Sequence, residues 1–153
     1  MENLIRTSQR LVSQVDTSIH RYLYDSISWD ARQVMIKGAR GVGKTTMLQQ
    51  RIKEQFGVSE QALYASCDNM WFTDNRLIDL VDWHESHGGT HLFLDEIHLY
   101  EGNWQRELKN IYDSYPDYHV VFTGSSIIST RRSPTSAAGA FPIAFTGFRF
   151  VNG

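Results

Sequence analysis

Residues 38–45 read GARGVGKT. Every fixed position of the glycine-rich phosphate-binding loop pattern is present. The glycines let the backbone curl until several N–H groups point at one anion. A helix that begins at the loop's end adds its positive pole. Lys44 is expected to reach the β and γ phosphates of a nucleoside triphosphate, and the Thr45 hydroxyl to help hold Mg²⁺. The expected binding set is Gly38, Ala39, Arg40, Gly41, Val42, Gly43, Lys44 and Thr45, with Thr46 at its margin, where packing or capping is the favoured role. Arg40 either touches phosphate or reaches solvent. The bland alternative is a glycine-rich turn with a solvent-facing lysine, and the flanks argue against it. Val34, Met35 and Ile36 form a short apolar run that stops at Gly38, as a buried strand would. After the loop, Met47, Leu48, Ile52 and Phe56 recur at helical spacing until Gly57.

The same alternation continues outward. Residues 4–25 read as one or two amphipathic helices, with Leu11, Val12, Val15, Ile19, Tyr22 and Leu23 at the spacing of one face. Ala62–Cys67, His91–Leu94 and His119–Thr123 read as further strands. Leu77–Trp83 and Trp104–Tyr115 read as helices, the first capped by Asp74 or Asn75 and stopped by Gly88-Gly89, the second closed by Pro116. Strands alternating with helices predict an α/β fold with a mostly parallel sheet covered on both faces, a three-layer sandwich.

Residues 91–96 read HLFLDE. An apolar strand ending in two acids suits the second half of a triphosphate site. Asp95 is expected to hold Mg²⁺, directly or through water, and Glu96 to orient or deprotonate an attacking water. Two solvated acids at a strand end are the alternative, and the loop at 38–45 weighs against it. The next strand ends in Phe122-Thr123-Gly124-Ser125-Ser126. Ser125, chosen over Ser126, is a candidate to sense the γ-phosphate, with helix capping as a competing role. Asp68 and Asn69 either face the site or make a plain turn. His84 and His87 share a helix without a third metal ligand, and Cys67 reads as a small buried residue.

Bulk properties narrow the class. The chain has 153 residues, 41% of them hydrophobic, a formal charge of −2 and one cysteine. That suits a packed domain without an internal disulfide. No basic stripe signals nucleic-acid binding, and no apolar run approaches the ~20 residues of a membrane helix. A soluble protein of the cytoplasm is expected.

The phrases KGARGVGKTTMLQQ, LYASCDNMWF, GGTHLFLDEIHLYEGNWQRELKNIYDSYP and VVFTGSSII together resemble AAA-type P-loop ATPases. The resemblance is closest to a prokaryotic group whose ATPase domain precedes a winged-helix segment and a C-terminal domain of unknown function. It spans roughly residues 10–128. It implies ATP and Mg²⁺ as ligands, slow hydrolysis, roles in catalysis for Lys44, Thr45, Asp95 and Glu96, with Mg²⁺ at Thr45 and Asp95, and a homo-oligomer or another protein as partner. Ser125 joins the catalytic set from the reading of its strand end alone.

After Ile128 the likeness stops. The tail reads PTSAAGAFPIAFTGFRFVNG, where the group continues with an arginine pair, a strand and a GLSFRE-like phrase. Codons read one frame away from the tail permit such a continuation, so a frame slip near residues 129–133 is expected. The division is then a helical segment over 1–30, an ATP-binding core over 31–128 and an out-of-frame tail over 129–153. The last strand of the AAA core, which lies beside the loop's strand, would be missing or replaced. Three readings compete: an ATPase, a non-catalytic nucleotide-binding fragment, and a P-loop phosphotransferase. The Asp-Glu strand end favours the first over the third.

Overall fold

A computed structural model describes residues 1–19, 24–25, 27–38 and 43–125. Four strands are joined by helices in the order α1 (Glu2–Gln14), β1 (Gln33–Gly38), α2 (Lys44–Gln55), β2 (Ala62–Ser66), α3 (Trp71–Asp74), α4 (Leu77–Ser86), β3 (His91–Asp95), a 3₁₀ turn (Ile97–Leu99), α5 (Trp104–Ser114) and β4 (His119–Ser125). The strands lie in the order β1-β4-β3-β2, and each described pairing is parallel. The expected frame slip, and the last strand expected to be missing or replaced, concern residues 126–153, which lie outside the described residues. Among the described strands β1 is an edge, with β4 on its paired side.

Parallel strands joined by helical crossovers are covered on both faces, so their apolar residues run on instead of alternating. Val34, Met35 and Ile36 are all buried, as are Leu92, Phe93 and Leu94. Register and alternation assign the faces. Leu94 stands opposite Phe122, and Phe93 opposite Val121. Phe93 therefore faces one layer, where it meets Phe56 just beyond α2 at 6.4 Å. Phe122 faces the other, where it meets Trp104 of α5 at 5.6 Å. The result is the expected three-layer arrangement, with each buried aromatic contributing about 1.5–3 kcal/mol of transfer free energy. Arg32 ties β1 to the second layer. Its guanidinium sits 3.9 Å from the centre of the Tyr112 ring and donates to the carbonyls of Tyr112 and Tyr115 at the end of α5. A cation suits the negative pole of that helix.

Helix α1 fills the first part of the 4–25 reading, which allowed one helix or two, and residues 20–23 lie outside the described residues. The helix stops at Gln14, and Val15 is extended at φ −71°, ψ 141°. The cause lies in α2, not in α1. Lys53 donates to the carbonyls of Ser13 and Val15, and Gln50 to those of Asp16 and Ile19. The Asp16 carboxylate accepts the Ser18 amide and closes a local turn that competes with helix. Ile19 is 78% exposed, not part of a buried stripe. The buried face is Leu4, Ser8 and Val12, and the Ser8 hydroxyl accepts the Tyr64 amide of β2.

The start of α4 also differs from expectation. Asn75 points back to the Trp71 carbonyl and closes the short α3, which the sequence pattern did not reveal. Asp79 caps α4 by accepting the Arg76 amide at 3.1 Å. His84 lies buried between the Tyr118 hydroxyl and the Glu60 carbonyl, as part of the core.

His91 and His119 face each other across β3 and β4, with their rings stacked 4.4 Å apart. Burial, then His119, then Arg51 push His91 from 6.5 down to about 4. Between those values the unfolded chain binds a proton that the folded chain refuses, so this contribution to stability is lost as pH falls. The melting temperature is expected to drop more between pH 7 and pH 5 in the parent than in His91→Phe. Equal drops would show that another group titrates.

Candidate functional site

The carboxyl ends of β1, β3 and β4 converge at the amino end of α2. Gly43, the residue before that helix, has φ +88°, a conformation a side chain would strain. Residues 39–42 lie outside the described residues, so Ala39, Arg40, Gly41 and Val42 have no described position. Gly38 ends β1 and is buried, while Gly43 and Lys44 are half-buried. Lys44 Nζ donates to the Gly38 carbonyl at 2.8 Å, spanning the mouth of the loop. Burial lowers the Lys44 ammonium below its ordinary value, and the charges of Asp95 and Glu96 partly offset that. Thr46 is exposed, which sets aside packing and leaves capping of its two expected roles.

Asp95 ends β3 and is 2% exposed. Three hydroxyls surround its carboxylate. Thr45 Oγ1 donates to Oδ2 at 2.5 Å, Tyr64 Oη to the same oxygen at 2.8 Å, and Thr123 Oγ1 to Oδ1 at 2.5 Å. Burial, with the Asp95 charge beside it, pushes the Tyr64 phenol up, so it remains a donor at ordinary pH. Thr45 and Asp95, fifty residues apart, thus meet.

Glu96 follows in the left-handed region at φ 57°, ψ 55°. A non-glycine residue there stores strain of about 1–3 kcal/mol, of a kind that clusters at functional sites. Its amide donates to Thr123 Oγ1 at 2.9 Å. Ser125 ends β4 directly opposite Gly38, beside the loop's first residue. Asn69 accepts the Trp71 amide, the mark of a turn, which favours the plain reading of Asp68-Asn69. Cys67 is buried, its amide donates to the Asp95 carbonyl, and burial pushes its thiol up.

Tyr64 and Thr123 escaped the sequence reading. A signal existed: each is a hydroxyl inside a strand whose neighbours are apolar on both sides. Which carboxylate they serve depends on register, which sequence does not carry.

A phosphate-loop strand, a helix starting at its lysine and an acidic end on a parallel strand define a P-loop nucleotide-binding protein. The chain belongs to the AAA domain family, which it matches over residues 30–148. That match runs past Ile128 into the tail. The chain is 32% identical, over 135 residues, to the uncharacterized protein MJ1637 of Methanocaldococcus jannaschii, covering 77% of this chain and 28% of that protein. Among solved structures it is similar to a DNA replication initiation factor, at 17% identity and TM-score 0.44 over 96% of this chain and 44% of the other. AMPPCP-bound DnaA from Aquifex aeolicus gives 17% identity and TM-score 0.43 over 95% and 44%. This chain spans less than half the length of each of these proteins, 28% of the first and 44% of the other two. No helix among the described residues is long and apolar enough to cross a membrane.

Proposed function

We propose that the chain binds ATP with Mg²⁺ at the loop 38–45 and hydrolyses it. The single observation that carries this is the Thr45 hydroxyl 2.5 Å from the Asp95 carboxylate, next to Lys44 at the start of a helix. The donor set is a hydroxyl and a carboxylate, hard oxygens that suit Mg²⁺ and not a soft metal. Thr45 and Asp95 would hold the ion, which neutralises phosphate charge when bound.

The chain's own groups supply the rest. Amides of Gly38–Thr45 and the α2 amino end receive the phosphates. Lys44 exchanges the Gly38 carbonyl for phosphate oxygens. Glu96 takes the proton of the attacking water. Ser125 senses the presence of the γ-phosphate, a role its pairing opposite Gly38 supports. A thermal-shift titration tests the reading: Mg-ATP is expected to raise the melting temperature progressively with concentration. No stabilisation by ATP with or without Mg²⁺ at millimolar ligand would reject it.

A further inference from the structure

Asp95 has more partners than its expected task requires. Thr45 alone links it to the loop, yet two further hydroxyls from flanking strands hold the same carboxylate, one on each oxygen. Their directions are constrained. Thr123 Oγ1 already accepts the Glu96 amide, so its own proton is left for Asp95. Thr123 is fully buried and Tyr64 nearly so, leaving little room for another rotamer. The sheet register sets them there: Ser66 pairs with Asp95, which puts Tyr64 two residues back on the same face, and Leu94 pairs with Phe122, which puts Thr123 beside Asp95.

We propose that Tyr64 and Thr123 are positioning residues that lock the Asp95 carboxylate, by one hydroxyl from each neighbouring strand, in the orientation that receives Mg²⁺ with the nucleotide. The inference rests on the function proposed above. Both groups are neutral donors, so they fix the carboxylate without cancelling the charge the ion needs. Partners of this kind, one step behind a metal ligand, commonly change metal affinity by 10–100-fold when removed.

The test is the affinity of the whole chain for a fluorescent ATP analogue, measured in Mg²⁺ and again in excess chelator. Thr123→Val and Tyr64→Phe each remove one oxygen at nearly constant shape, and Thr123→Ser restores the hydroxyl. Each variant is checked by circular dichroism and thermal melting. The parent is expected to bind more tightly with Mg²⁺. Thr123→Val and Tyr64→Phe are expected to lose about tenfold or more of that gain and to bind as the parent does in chelator, while Thr123→Ser keeps the gain. A merely structural role would lower the melting temperature and leave the Mg²⁺ gain intact, which would overturn the inference alone. If Thr123→Val does not fold, Tyr64→Phe decides the matter. A parent that binds the analogue equally with and without Mg²⁺ would overturn the metal role of Asp95, and the inference with it. A parent that binds nothing would reject the proposed function.

Discussion

Glu96→Gln is expected to release phosphate from ATP at least about 100-fold more slowly than the parent, while binding Mg-ATP as tightly. The substitution keeps the size of the side chain and removes its basicity. Neither the Asp95 hydroxyl contacts nor the Glu96 amide bond to Thr123 depends on the Glu96 carboxylate. Binding and turnover should therefore separate. A phosphate-release assay beside an equilibrium titration measures both. Equal, background-level release by the two proteins would reject hydrolysis by this chain and leave nucleotide binding standing. Equal release well above background would remove Glu96 from the chemistry.

Lys44→Ala is expected to weaken Mg-ATP binding at least about 100-fold, which corresponds to about 2.7 kcal/mol. The ammonium sits at the amino end of α2 and touches the Gly38 carbonyl across the loop. It is thus already drawn toward the strand end where phosphate oxygens would replace that carbonyl. Alanine leaves the helix start intact, because the Met47 amide bonds the Gly43 carbonyl without help from residue 44's side chain. Loss of binding without loss of helix content, read by titration and circular dichroism, is the expected pair of results. An unchanged dissociation constant would mean that the loop does not carry the phosphates.

The strands were legible because covering both faces of a parallel sheet makes buried runs continuous, as at Val34–Ile36 and Leu92–Leu94. The end of α2 was legible because Gly57, at φ +67°, takes the bonds that close the helix. The end of α1 was hidden because Lys53 and Gln50, some thirty-five residues downstream, claim its following carbonyls. Periodicity alone did not say where the first helix stops within residues 4–25; these tertiary bonds do. Of the site, the loop and Asp95 were visible in short motifs. Tyr64 and Thr123 were not, because their meaning comes from which strand lies next to which. The left-handed backbone at Glu96 was hidden for the same reason, since the hydroxyl that receives its amide belongs to another strand.

Among the described strands the neighbour of β1 is β4, not a strand close in the chain: Gln33 is set against Val120 and Gly38 against Ser125. A chain emerging from the ribosome therefore makes its phosphate loop early and the strand that steadies it much later. Closing so long a loop is entropically expensive and slow, and it belongs to the class of topologies that fold late relative to local helices. Until β4 has been synthesised, the strand leading into the loop lacks the ladder seen here. Nucleotide capture, and any stabilisation that ATP lends, would then be deferred to the closing stage of folding and could not guide its beginning.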